Sequence, residues 1–98
     1  MPDVTIVYWR DIPAQVIVGK GRRAAKVPVA ERFEKAIDRA AMKTGAAGTD
    51  AYLAEWRKAP PQSQEGDAAE IAQSRAAALE AEYDDARLKA LIDNNGWA

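Results

Sequence analysis

The chain contains neither cysteine nor histidine. The first absence removes disulfides, thiolate metal sites and thiol nucleophiles. The second removes imidazole ligands and the usual neutral-pH general base. Carboxylates remain for Mg²⁺ or Ca²⁺, and Asp, Glu or Lys for acid–base work, so these gaps disfavour catalysis without abolishing it. The expectation is a protein that binds, with no metal site, no cofactor and no catalytic residue. Long hydrophobic runs are missing too. The opening MPDVTIVYWR lacks the basic-then-apolar order of a secretory signal, and no apolar run approaches the length of a bilayer span. A cytoplasmic protein without membrane attachment is expected.

Large apolar residues are also limited. Hydrophobic residues make up 48% of the 98 positions, but much of that share is alanine. The core is therefore expected to be thin, carried by Ile, Val, Leu and a few aromatics, with a partner surface able to complete it.

What is present is arranged unevenly. Residues 1–26 carry a net charge of +3, residues 27–64 of +1 and residues 65–98 of −5. Val4 to Arg10 is β-branched and aromatic and predicts a strand. Alternation puts Val4, Ile6 and Tyr8 on one face and Thr5, Val7 and Trp9 on the other. Asp11-Ile12-Pro13 interrupts it, and residues 14–18 resume as a second, antiparallel strand. Ala24 to Val27 is a candidate third strand.

From residue 29 to 44, Val29, Phe33, Ile37, Ala40 and Ala41 recur at helical spacing, and Gly45 stops the helix. A second helix is expected over 50–58, capped by Thr49 or Asp50, with Tyr52, Leu53 and Trp56 on its apolar side. The stretch 60–66 reads as a linker around Pro60-Pro61. Residues 67–98 read as one C-terminal helix of the same domain, closed by Asn95-Gly96 with Trp97 folded back on Ile92. Strands followed by helices define an α+β fold: an antiparallel hairpin, with a third strand optional, packed on an amphipathic helix and followed by two more.

Three constellations carry candidate chemistry. GKGRR (residues 19–23) combines two glycines with Lys20, Arg22 and Arg23. It reads either as an anion cradle or as a solvated hairpin exit, and lacks the spacing of a phosphate-binding fingerprint. Tyr8-Trp9-Arg10-Asp11 reads either as a recognition patch or as aromatics packed under a helix, with Arg10 and Asp11 able to pair locally. Glu80, Glu82, Asp84 and Asp85 read as a solvated helix face, since no calcium loop surrounds them. The candidate binding surface is Tyr8, Trp9, Arg10, Lys20, Arg22 and Arg23. A protein partner fits it best, and a nucleic acid is the alternative.

The strings VTIVYWRDIPAQVIVGKGR, ERFEKAIDRAAMKTGA and DAYLAEWRK resemble a small bacterial family labelled "virulence factor", related to a module of the conserved virulence factor C proteins. The resemblance covers residues 3–58 and continues more loosely through RLKALIDNNGW. It brings no defined activity or catalytic residues. Stand-alone members are encoded beside folate- and corrinoid-dependent methyl-transfer proteins, which implies an accessory subunit in one-carbon metabolism, with a methyl-transfer enzyme as its partner.

Overall fold

A computed structural model describes residues 3–19, 24–46, 48 and 50–98. Strand β1, Asp3–Trp9, runs antiparallel to β2, Ile12–Val18, through a tight turn at Arg10-Asp11 in which Arg10 takes a positive φ of 53°. The second strand thus begins at Ile12, two residues earlier than expected. A register shift between Val7 and Tyr8, which pair with Gln15 and Pro13, leaves Ala14 over. Such a bulge accommodates a proline that cannot donate to the ladder. Strand β3, Ala25–Pro28, adds to β2 and confirms the optional third strand.

On its other edge β1 pairs with two short strands, β4 (Trp56–Lys58) and β5 (Gln62–Ser63), so the ladder runs β3-β2-β1-β4 with β5 beside β4 on the same edge of β1. The helix expected over 50–58 is therefore corrected. Only α2, Asp50–Ala54, is helical, and Trp56-Arg57-Lys58 turns into the sheet. Backbone pairing with the open edge of β1 overrides local propensity here. Within the stretch expected as linker, Gln62 and Ser63 are hydrogen-bonded to β1.

Helix α1, Glu31–Lys43, follows the predicted periodicity and buries Phe33, Ala36, Ile37, Ala40 and Ala41. Gly45, at φ 74°, ends it as expected. Residues 67–98 form two helices rather than one: α3, Ala68–Glu82, and α4, Asp85–Asp93. Each opens on an aspartate cap. Asp67 accepts from the Glu70 amide and Asp84 from the Arg87 amide, at 3.1 and 2.8 Å. A capping side chain at Asp84 interrupts what uniform Ala/Glu/Leu propensity would have continued.

Helix α3 packs on β2 and β3, and α1 packs on β2 and α4. Val4, Val16, Val18, Phe33, Ile37, Ile71, Leu79, Leu88 and Leu91 join one apolar cluster, and no polar or charged residue among those described is buried. The chain is an α+β protein with its strands leading and its helices following.

Candidate functional site

The tetrad at the end of β1 is where sequence and structure part. Trp9 is 0% exposed. Its ring tilts against Tyr52 at 5.8 Å and its indole N–H donates to the Tyr52 carbonyl at 2.9 Å. The expectation of Trp9 as a surface residue is corrected: α2 covers the face to which alternation assigned it. Arg10 is also largely enclosed, with 13% of its side chain exposed. Its guanidinium lies 4.9 Å from the Trp9 ring and 5.2 Å from the Trp97 ring. It donates to the Asn95 carbonyl at 2.6 Å and faces Glu55 at 3.8 Å.

Asp11 completes this junction. Its amide donates to the Gly96 carbonyl at 2.8 Å, its carboxylate accepts from the Ala98 amide at 2.7 Å, and it pairs with Arg57 at 2.8 Å. Arg10 and Asp11 therefore take different partners rather than each other. Together they latch the C-terminal turn to the first hairpin, 85 residues away in sequence. Tyr8 is half-buried beneath the Arg57 guanidinium, 4.6 Å from its ring. Lys20, Arg22 and Arg23 lie outside the described residues.

Helix α1 sorts its charges into two stripes. At about 100° per residue, Glu31, Glu34 and Asp38 fall on one side of the buried face and Arg32, Lys35, Arg39 and Lys43 on the other. Much of the basic stripe is engaged. Arg32 donates to the carbonyls of Glu80 and Tyr83, the C-terminal end of α3, and faces Asp85 at 3.7 Å. Lys43 donates to the Asp93 carbonyl at 2.6 Å, at the end of α4. Cations at helix C-termini satisfy orphan carbonyls and complement the dipole.

The acidic stripe borders a cleft of about 300 Å³. Glu34, Ile37 and Asp38 of α1 line it together with Tyr52, Trp56 and Val7. Tyr52 and Trp56 meet edge to face at 6.0 Å and 89°. Burial, and then the nearby charges of Asp38 and Glu34, push the Tyr52 phenol above its ordinary value of 10.0, against a hydrogen bond from Trp56. Neither carboxylate has an ion-pair partner among the described residues. Burial likewise raises the Tyr83 phenol, aided by Tyr8 and opposed by Arg87.

The cleft lies at one end of the sheet face that carries Val7, a face the core uses at Trp9 but not at Val7 or Ile17. Val7 and Ile17 are part-exposed and belong neither to the apolar cluster nor to the residues packed on it. Lys26 and Lys58, their neighbours in register, are exposed, as is Trp56 at 36%. The acidic residues singled out near the C-terminus do not converge. Asp84 caps α4, Asp85 faces Arg32 and Glu82 pairs with Arg87, and no metal-binding group is found among the described residues. Sequence reasoning missed the cleft because Tyr52 and Trp56 were assigned to a single helix. The acidic i,i+4 pair Glu34 and Asp38 was the available signal.

These features define a small α+β protein whose antiparallel sheet packs against helices and keeps part of one face, at Val7 and Ile17, outside the core. The chain belongs to the family described as "Virulence factor", whose model matches residues 7–92. No curated protein and no solved structure shows significant similarity to it.

Proposed function

We propose that this member of the family is a non-catalytic accessory protein that binds a protein partner through the open sheet face around Val7, Ile17 and Trp56. The observation that carries this reading is the unused apolar surface. Val7 and Ile17 are part-exposed and stand outside the core cluster, and Trp56 is exposed on the same sheet. Apolar patches rimmed by charge, here Lys26 and Lys58, mark contact surfaces more often than catalytic ones. Of the residues expected to bind, Tyr8 keeps partial exposure. Trp9 and Arg10 act within the fold. The partner we propose is a folate- or corrinoid-dependent methyl-transfer enzyme of the cytoplasm, on the strength of the family resemblance. No helix among the described residues is long and apolar enough to cross a membrane.

Sedimentation velocity of the purified chain with such an enzyme tests this directly. Co-sedimentation at about 50 µM, lost in a Val7→Lys, Ile17→Glu variant, is expected. No complex at that concentration, or one indifferent to the variant, refutes it. The nucleic-acid alternative rests on Lys20, Arg22 and Arg23, and predicts binding that falls steeply with salt.

A further inference from the structure

We propose that the cleft between the acidic stripe of α1 and the Tyr52–Trp56 pair receives an arginine side chain from the protein partner, an inference that rests on the reading above.

Three features of the cleft call for this occupant. The first is charge. Glu34 and Asp38 stand at i,i+4 on one helix face, an arrangement of like charges that destabilises a helix unless a cation intervenes. Elsewhere the chain meets such needs internally: Glu31 faces Lys35 at 3.9 Å, Glu55 faces Arg10 and Asp11 pairs with Arg57. At the cleft it supplies no cation among the described residues. Arg39 and Lys35 of the same helix project from the opposite stripe and line the groove towards α4 instead.

The second feature is aromatic. Tyr52 and Trp56 stand perpendicular to one another and line the same cleft as the carboxylates. A guanidinium is flat, weakly hydrated and stacks on aromatic faces, while its N–H fork matches carboxylate oxygens. An ammonium keeps its water more firmly and gains less from such walls. A volume of about 300 Å³ accommodates one such side chain with its methylene stem against Val7 and Ile37.

The third feature is continuity. Val7 belongs both to the cleft and to the open sheet face. A chain docked on that face therefore has an anchoring pocket at one end of its path, as arginine anchors do at many interfaces.

The test is a ¹⁵N–¹H NMR titration of the intact chain with three probes: acetyl-Gly-Arg-Gly-amide, its neutral citrulline counterpart, and tetramethylammonium. The arginine peptide is expected to shift the Trp56 indole and the amides of Glu34, Asp38 and Tyr52, and the citrulline peptide to leave them in place. Glu34→Gln with Asp38→Asn, at exposed positions, is expected to weaken the arginine peptide about tenfold without lowering the melting temperature. Equal shifts from both peptides, shifts centred on other acids, or none at about 20 mM overturn the proposal. Tighter binding of tetramethylammonium than of the arginine peptide also overturns it, by making a free organic cation the ligand. In the enzyme complex, the same double variant should lose about tenfold in affinity. An unchanged complex refutes the arginine anchor while leaving the accessory reading intact. Peptide binding with no enzyme complex at all does the reverse.

Discussion

Replacing Arg10 by methionine keeps the length and apolar stem of the side chain and removes its charge. Three interactions go with it. The hydrogen bond to the Asn95 carbonyl, at 2.6 Å from a charged donor, is of a kind that contributes about 1.5–3 kcal/mol. The contacts with the Trp9 and Trp97 rings, at 4.9 and 5.2 Å, add about 0.5–1 kcal/mol each. The 3.8 Å ion pair with Glu55 adds little, since Glu55 is partly in water. The left-handed backbone at Arg10 is unchanged by the substitution, so it cancels. A loss of about 2.5–5 kcal/mol follows, at least about 10 °C in melting temperature for a domain of this size. Urea denaturation followed by circular dichroism measures it. Arg39→Met, an exposed arginine without a partner among the described residues, serves as control and should cost no more than about 0.5 kcal/mol. Equal, small losses in both variants would refute the assignment of Arg10 to the latch.

Gly96→Ala should lose about 2–4 kcal/mol in the same assay, because φ there is +91° and an added Cβ would meet the Trp9 ring at 3.0 Å. Arg32→Met frees the carbonyls of Glu80 and Tyr83 and should cost about 1–3 kcal/mol, with faster hydrogen exchange in the last turn of α3. Burial holds the Tyr52 and Tyr83 phenols above 10.0 in the folded chain, whereas they titrate near that value when unfolded. The folded state thus retains protons more tightly; this stability is complete below about pH 10 and lost as pH rises through the folded values. Melting curves from pH 8 to 11.5 should show that decline, and Tyr52→Phe with Tyr83→Phe should flatten it.

The elements most readable from sequence were those with a strong internal period. Alternation across VTIVYW and the recurrence of Phe33, Ile37, Ala40 and Ala41 carry β1 and α1, because each signal lies within one element. What eluded the reading depends on contacts distant in sequence. Trp56-Arg57-Lys58 has no strand signature of its own and becomes β4 only because β1 offers an open edge. Tyr83-Asp84 breaks the last helix through a single capping carboxylate within a stretch of uniform propensity. The tetrad is the clearest case. Its composition is that of a recognition patch, yet its partners are Tyr52, Glu55 and the turn at Asn95–Ala98, none of which local pattern could place beside it. Burial of Trp9 shifts the candidate surface to Val7, Ile17 and Trp56, residues that local reasoning treated as ordinary strand and helix positions.

Hydrogen–deuterium exchange of the chain, free and mixed with the methyl-transfer enzyme proposed as its partner, tests most directly which surface does the binding. Slowed exchange confined to residues 5–7, 15–17 and 34–38 and to Trp56–Lys58 is the predicted result. Protection confined to Tyr8–Asp11 and residues 20–23, with the open sheet face and the α1 cleft unchanged, would contradict it.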